Sequence, residues 1–331
     1  MLNHVCRLMA MSALAATASV VAGAQTISTV IPFPAATAGI SVDPVRNKVY
    51  VVAPDPTGTI FNLAVIDGIS NTVTTSIPLP SGASFPAVDY LANRIYVAGC
   101  NTLVTPAACS VTVIDGDKDS VVTTIPVTTT RGGGLTGITV NPLCGLVYVA
   151  NANDNVINII NGRQAKLAGS ISLNGNSPSA IALNPILNLL YVPYGTNQTA
   201  VVNAWTKQIL TTTTFGNATV GAAVNVLTGN VFVADQEFNG SSLTGVLGAN
   251  GHLVTSVSVG AFPTGLDVDP FTNLTFVASQ LTSEVAVIDG SNNTVKATVH
   301  GVQQAQYVAV NPATELVYAS GGDGVTVLTE K

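Results

Sequence analysis

The sequence predicts an all-β protein: a seven-bladed β-propeller of four-stranded antiparallel blades, with the ring closed by the N-terminal strand. Three observations lead to this prediction. The same hairpin sequence recurs along the 331 residues, a strand with a central aromatic residue recurs seven times, and an Asp or Asn stands seven positions before each of these aromatic residues. Neighbouring aromatic residues are 41 to 52 positions apart, close to the period of about 40–45 residues that a four-stranded blade produces.

The composition is typical of half-buried strands joined by polar turns. Hydrophobic residues make up 47% of the chain and charged residues 8%, whereas disorder requires low hydrophobicity and high charge. The formal net charge is −6. An acidic chain without a basic run argues against nucleic acid as a partner.

The recurring hairpin supplies two strands of a blade. The copies "LAVIDGISNTVTTSIPL" (63–79), "SVTVIDGDKDSVVTTIPV" (110–127) and "VAVIDGSNNTVKATV" (285–299) alternate apolar and polar residues around an Asp-Gly turn. We assign them as third and fourth strands. The turn "DGDKDS" (115–120) resembles the start of a calcium loop, but it lacks the glycine at the sixth position and the acidic twelfth ligand. It is therefore interpreted as a solvated turn.

A tight turn of fixed residue types precedes each aromatic strand. The aromatic residues are Tyr50, Tyr96, Tyr148, Tyr191, Phe232, Phe276 and Tyr318. The residues seven positions earlier are Asp43, Asp89, Asn141, Asn184, Asn225, Asp269 and Asn311. An Asx side chain accepts backbone N–H groups of its turn, and Asn or Gly near the exit accepts a positive φ. The turn joins a short first strand, rich in small residues that fit near an axis, to the aromatic strand.

The N-terminal segment is expected to complete the seventh blade. The last unit contains only three strands, and "TISTVIPF" (26–33) resembles the fourth strands "TVTTSIPL" and "VVTTIPV". Pairing this segment into the last blade removes most exposed edge strands. We therefore predict a single propeller domain over residues 25–331.

The motifs "VIDG", "VVTTIPV", "NP" and "VYVAN" (147–151) resemble the YVTN β-propeller repeat over essentially all of residues 25–331. The match is good in blades 1, 2, 3 and 6. It is weaker in blades 4 and 5, where "VVNA" and "GVLGA" replace "VIDG". The resemblance implies a secreted, periplasmic or cell-surface propeller.

Residues 1–24 are predicted to be a secretory signal peptide. Arg7 precedes the apolar stretch "LMAMSALAATASVVAG", and "AGA" (22–24) is a small-residue cleavage site. The alternative is an uncleaved anchor helix, for which the apolar run is short. No membrane span is expected in the mature chain.

Three cysteines follow the predicted signal peptide. Cys100 and Cys109 bracket the segment "NTLVTPAA". In an oxidising compartment they are expected to close it as a disulfide, and the alternative is two free thiols. Cys144, in a predicted tight turn, has no evident role.

Blades 1–3 carry the longest connections on one face. The inserts are "APDPTGTIFN" (53–62), "GCNTLVTPAACS" (99–110) and the crossing "VTTTRGGGLTG" that holds Arg131. Long loops on a rigid scaffold often carry function, so this face is expected to bind a protein, glycan or small-molecule ligand. The alternative is that these loops are long through neutral drift, which surface loops tolerate.

Asp267 is the outstanding candidate for a site near the axis. The matching first-strand residues of the other blades are Ser41, Ala87, Thr139, Ala182, Ala223 and Ala309. A lone acid there is costly to bury unless it is paired or hydrated; it could hold a cation or act as a base. Arg131, His300, Phe85 and Tyr307 are candidates for the same region, and His300 is expected to face the axis.

The motifs of common enzymes are missing from the sequence. Residues 25–331 contain two histidines, His252 and His300, without metal-ligand spacing, so neither a metal nor a cofactor is expected. There is no G-x-S-x-G, G-x-G-x-x-G or P-loop motif. The first hypothesis is therefore a binding or interaction scaffold without catalysis. The alternatives are a lactonase-like hydrolase with a site at the channel mouth and a structural cell-surface or adhesion component.

Overall fold

A computed structural model describes residues 25–104, 107–127, 134–237 and 242–330. These residues form 28 β-strands in seven four-stranded sheets. The predicted signal peptide and Arg131 lie outside the described residues. Each sheet is an antiparallel meander, which confirms the predicted blades.

The strands are numbered in chain order and grouped here by their place in the blade. The first strands of blades 1 to 7 are β2 (Ile40–Asp43), β6 (Ala83–Asp89), β10 (Leu135–Asn141), β14 (Ala182–Asn184), β18 (Thr219–Val224), β22 (Pro263–Asp269) and β26 (Tyr307–Asn311). The second strands are β3 (Lys48–Pro54), β7 (Arg94–Asn101), β11 (Leu146–Asn151), β15 (Leu189–Tyr194), β19 (Val231–Asp235), β23 (Leu274–Ser279) and β27 (Leu316–Gly321).

The outer half of each blade consists of the third and fourth strands. The third strands are β4 (Phe61–Asp67), β8 (Ala108–Asp115), β12 (Val156–Asn161), β16 (Gln198–Asn203), β20 (Leu243–Leu247), β24 (Glu284–Asp289) and β28 (Gly324–Thr329). The fourth strands are β5 (Thr72–Leu79), β9 (Ser120–Val127), β13 (Lys166–Ser172), β17 (Gln208–Thr214), β21 (Leu253–Ser258), β25 (Thr294–His300) and, for blade 7, β1 (Ile27–Pro32).

The blades form a closed ring with the first strands at the centre. Each first strand contacts the first strands of both neighbouring blades, and β26 contacts β2. Because the strands alternate in direction, the turns after the first and third strands lie together on what we call the turn face (residues 44–47 and 68–71 in blade 1). The other connections lie on the mouth face (residues 55–60 and 80–82 in blade 1).

The turn that ends each first strand has the geometry predicted from its residue types. The side-chain oxygen of each turn Asx accepts the N–H of the second residue after it, at 2.7 to 3.2 Å in all seven blades. The fourth residue after the Asx has a φ of 50° to 82°. Six of these residues are Asn or Gly. In blade 7 Glu315 adopts the same positive φ, 56°.

The aromatic residue of each second strand packs between neighbouring blades. All seven are among the fully buried side chains. The hydrophobic residues form seven clusters, each shared by two adjacent blades. The hydroxyl of Tyr191, in blade 4, donates to the carbonyl of Ala249 in blade 5 at 3.0 Å. The aromatic anchors therefore stabilise the contact between blades as well as the blade itself.

The glycine of "VIDG" has a packing role. The N–H of Gly116 donates to the carbonyl of Asn93, the positive-φ residue of the same blade, at 3.0 Å. A Cβ on Gly116 would lie 2.2 Å from the side-chain oxygen of Asn93. Gly68 is in the same position against Asn47. The repeated dipeptide therefore follows from the close approach of the two turns of one blade.

The ring is closed as the sequence predicts. Strand β1 pairs antiparallel with β28, from Ile27 opposite Leu328 to Pro32 opposite Gly324. Ile31 is buried against residues of blades 7 and 1. On the turn face, the amide of Asn311 donates to the side-chain oxygen of Asn47 at 2.7 Å, which joins blade 7 to blade 1.

Deleting residues 25–32 is expected to lower the free energy of unfolding by about 3 kcal/mol or more, because it exposes the edge of β28 and removes the buried Ile31. Urea denaturation of the deletion variant measures this. Ile31→Ala is expected to lose stability, whereas Val30→Ala, whose side chain is 40% exposed, loses little. Equal stability of the deletion variant and the parent would contradict closure by β1.

Candidate functional site

Two adjoining cavities follow the axis of the ring. The first, about 340 Å³, opens towards the mouth face and is lined by residues in or directly before the first strand of all seven blades, together with Gln236. The second, about 290 Å³, lies towards the turn face and is lined by β2, β6, β10, β22 and β26. We call them the mouth cavity and the inner cavity.

The walls of these cavities are mostly backbone. Each first strand is the edge of its sheet, so its outer N–H and C=O groups face the axis without a strand partner. Hydroxyl side chains satisfy some carbonyls of the next blade. Thr136 donates to the carbonyl of Pro178 at 2.8 Å, Ser179 donates to that of Thr219 at 2.7 Å, and Thr264 donates to that of Gln306.

One side of the mouth cavity is aromatic. Phe85 of β6 and Tyr307 of β26 meet edge to face, with ring centroids 6.0 Å apart and an interplanar angle of 89°. They belong to blades 2 and 7, which flank blade 1. The corresponding residues of the other blades are Gly39, Gly137, Ala180, Gly221 and Gly265. The cavity is therefore asymmetric, with an aromatic wall on one side and small residues on the other.

Asp267 lies in the wall of the inner cavity. Its two carboxylate oxygens accept the N–H of Val268 at 2.9 Å and that of Val310, on the next first strand, at 2.8 Å. Burial raises the pKa of Asp267 to about 6, the carboxylate of Asp269 adds to the rise, and the two backbone donors oppose it. The side chain thus bridges blades 6 and 7 and is the one carboxylate among the residues lining the two cavities.

His300 does not face the axis, and this expectation was wrong. It ends β25, the outermost strand of blade 6, with 75% of its side chain exposed. Its Nδ1 lies 2.9 Å from a carboxylate oxygen of Glu284. Three strand spacings of nearly 5 Å each separate β25 from β22, so His300 and Asp267 do not converge. His300 occupies the position that Pro126 has in the fourth strand of blade 2, at the rim of the ring.

The inserts of blades 1 and 2 lie on the mouth face but outside the cavity. Cys100 and Cys109 form a disulfide that closes the base of the second insert. Asp55 orders the first insert by accepting the N–H of Thr59 at 2.9 Å and that of Ile60 at 3.0 Å. None of the described residues of either insert lines the mouth cavity.

Charge separates the two faces of the ring. All eight Lys and Arg residues in the described part of the chain lie in the turn-face turns or within three residues of them: Arg46, Lys48, Arg94, Lys118, Arg163, Lys166, Lys207 and Lys296. The mouth face carries Asp55, Asp154, Asp235, Glu237, Glu284 and Asp323. The described mouth face is therefore acidic.

A third, smaller cavity lies on the turn face between blades 2 and 3. It measures about 210 Å³ and is lined by Asp89, Arg94, Tyr96 and Arg163, among others. Burial raises the pKa of Asp89, and the backbone donors of its turn and the two arginines oppose the rise. Arg94 donates to the carbonyl of Gly162 at 2.8 Å. These contacts hold the two blades together.

Among the described residues, no group of three or more His, Cys, Asp or Glu side chains could hold a metal ion. The same part of the chain has no helix long and apolar enough to span a membrane.

Comparison with solved structures identifies the architecture. A chain of Kuenenia stuttgartiensis hydrazine synthase matches with a TM-score of 0.73 at 16% identity, over 91% of this chain and 97% of that chain. The fold is a seven-bladed β-propeller. At this identity the likeness extends to the fold alone. No protein-family model matches the chain, and no curated protein matches it.

The propeller places some site residues that the sequence did not reveal. Gln236 and Thr264 line the mouth cavity, yet neither departs from a repeat motif in a way that could be read in advance. Phe85 and Tyr307 were detectable because they replace small residues of the first strand.

The effect of Asp267→Ala on the free energy of unfolding is expected to change between pH 4 and pH 7. Because the pKa of Asp267 is raised in the folded protein, the parent loses stability as the pH rises through about 6, and alanine has no such loss. Relative to the parent, the variant should gain about 2 kcal/mol over this range. Urea denaturation at both pH values measures the difference. Asp323→Ala, at an exposed carboxylate, should follow the parent, and parallel pH profiles for Asp267→Ala and the parent would contradict the assignment.

Proposed function

We propose that this protein is a ligand-binding propeller without catalysis, and that its ligand occupies the mouth cavity. The observation that carries the proposal is the cavity of about 340 Å³, to which all seven blades contribute and in which Phe85 and Tyr307 form one wall. Binding sites are typically concave, largely apolar and equipped with a few directed polar groups. The edge backbone of the first strands and Gln236 supply those groups.

The ligand class follows from the charge and the aromatic wall. The described mouth face carries six carboxylates and no Lys or Arg, which repels anions. An aromatic ring attracts apolar groups and also cations, which interact with its face. Burial raises the pKa of Tyr307, so its phenol stays protonated at neutral pH. We propose a small neutral or cationic molecule, such as one with a quaternary ammonium group.

A hydrolase is the weaker candidate. Hydrolysis requires a nucleophile or activated water with a positioned base. The described lining of the two cavities includes Asp267 as its carboxylate and no histidine. Asp267 directs both oxygens to backbone N–H groups, a geometry that supports a structural bridge between blades.

We further propose that the chain is a member of the YVTN-repeat propellers and acts outside the cytoplasm, as a secreted, periplasmic or cell-surface protein. The repeat motifs support the family. The apolar stretch in residues 1–24 and the Cys100–Cys109 disulfide support an oxidising compartment. The inserts of blades 1 and 2, beside the cavity, are available to a protein or glycan partner.

Thermal denaturation with small probes tests the ligand class. Choline at about 10 mM should raise the melting temperature, because a ligand that binds only the folded state stabilises it by mass action; benzoate should not. Tyr307→Ala and Phe85→Ala should each abolish the shift relative to their own ligand-free melting temperatures. Phe271→Ala, at an exposed turn-face aromatic residue, should retain it.

Two results would reject this proposal. One is the absence of a shift with choline and with neutral probes such as glucose. The other is a shift that survives both mouth-cavity substitutions.

A further inference from the structure

On the turn face, the second residue after the Asx that ends each first strand is apolar in all seven blades. The second residues after the seven turn Asx residues are Val45, Leu91, Leu143, Ile186, Leu227, Phe271 and Ala313, and we call them the apolar ring. Each donates its backbone N–H to the Asx side chain. Any residue except proline fills that role, so the turn itself does not require an apolar side chain.

The apolar ring is largely exposed. Five of its side chains are 46% to 67% exposed, Ala313 is also exposed, and Leu143 is partly buried. Neighbouring turns touch around the channel: Arg46 donates to the carbonyl of Tyr90 at 2.9 Å, and Asn225 donates to Asn273 at 2.7 Å. The exposed side chains therefore surround the turn-face end of the axis. Exposed apolar side chains on most of seven adjoining turns are typical of an interaction site.

The outer turns of the same face provide an internal comparison. In four of them the second residue after the Asx again donates its N–H to the Asx side chain, and this residue is Ile69, Asp117, Trp205 or Ser291. In blade 3 the same position holds Arg163. At this position the inner turns are thus apolar in every blade, whereas the outer turns are mixed. Protein interfaces have this arrangement of an apolar centre and a polar rim.

The turn face has one sector that is positively charged and one that is negatively charged. Blades 3 and 4 carry Arg163, Lys166 and Lys207, with no Asp or Glu on this face in the described chain. None of the three cations forms a salt bridge with a described carboxylate, whereas Arg46, Lys48 and Lys118 of blades 1 and 2 each do.

The second sector lies almost opposite the first. Blade 5 separates the two sectors on one side of the ring, and blades 1 and 2 separate them on the other. In the described chain, blades 6 and 7 carry Asp269, Asp289, Glu315 and the buried Glu330 on this face, against Lys296. Asp269 is buried, and Asp289 and Glu315 are partly exposed. The positive and negative sectors thus face each other across the apolar ring.

We propose that the turn face is a homodimer interface, in which a second copy of this chain packs face to face through the apolar ring. A two-fold axis that lies in the interface and passes over blade 5 places blade 3 on the partner's blade 7 and blade 4 on the partner's blade 6. The positive sector of each copy then meets the negative sector of the other. An isologous contact requires this self-complementarity.

The same axis pairs the apolar residues. Ile186 faces the partner's Phe271, and Val45 faces the partner's Leu91. Leu227 of blade 5 lies on the axis and meets its own copy. Three residues in each of seven turns approach the roughly 20–30 residues per side of a standard interface. Both mouth cavities then open away from the interface, so dimerisation leaves the ligand site accessible.

Sedimentation velocity over about 1–100 μM tests the interface. The parent should sediment as a dimer. Phe271→Asp should raise the dissociation constant by about tenfold or more, because it places a charge in the apolar centre. Leu281→Asp is the matched control: Leu281 is 70% exposed against 67% for Phe271 but lies on the mouth face. It should leave the dimer intact. Circular dichroism of each variant establishes that it is folded.

Substitutions in the two charge sectors are expected to have opposite effects on the dimer. Lys166→Glu combined with Lys207→Glu should weaken the dimer, and added salt should reduce the difference from the parent. Lys296→Glu removes the cation of the negative sector and should keep the dimer or tighten it. Weakening by both variants to the same extent would contradict the proposed arrangement of sectors.

Cross-linking tests the position of the axis. Leu227→Cys should form a disulfide-linked dimer on mild oxidation, because a residue on a two-fold axis meets its own copy. Leu281→Cys should not. A monomeric parent at about 100 μM would overturn the proposal. So would binding of the turn face to anionic phosphatidylserine vesicles, abolished by Phe271→Asp, in a protein that stays monomeric.

Discussion

The hydrogen bond between each turn Asx and the N–H two residues later is the interaction on which the rest of the ring depends. It ends the first strand at the same level in all seven blades and places a positive φ four residues after the Asx. That φ turns the chain into the aromatic strand, whose ring fills the space towards the next blade. A bond of this kind contributes only about 1 kcal/mol, but its sevenfold repetition sets the register of every sheet.

The repeated register explains why the candidate site is made of exceptions. Where seven identical strands meet, the axis would be lined by backbone and small side chains alone. Phe85 and Tyr307 break this symmetry at the mouth, and Asp267 breaks it at the inner cavity. Each exception costs something: the aromatic rings occupy channel volume, and the carboxylate is held away from water. The presence of these three side chains, where the other blades have small residues, makes the axis a candidate binding site.

The two faces differ because their connections differ in kind. Turn-face connections are short and governed by Asx chemistry, and the described cations lie there, several of them paired to turn carboxylates. Mouth-face connections vary in length and carry acids. This division supports separate roles, with ligand selection at the mouth face and self-association at the turn face. The two roles do not compete, because no residue of the apolar ring lines the mouth cavity.

The local sequence determined the blades, because Asx turns, positive-φ asparagines and alternating strands depend on near neighbours in the chain. Closure by β1 was also readable, since residues 26–33 repeat a fourth strand. Phe85, Tyr307 and Asp267 could be singled out as departures from their repeat positions. Sequence alone placed His300 wrongly: it follows the predicted fourth strand of blade 6, and the structure puts the end of that strand at the rim. The pairing of Phe85 with Tyr307, the acidic mouth face and the apolar ring were decided by the tertiary structure, because ring closure brings together residues that are far apart in the chain.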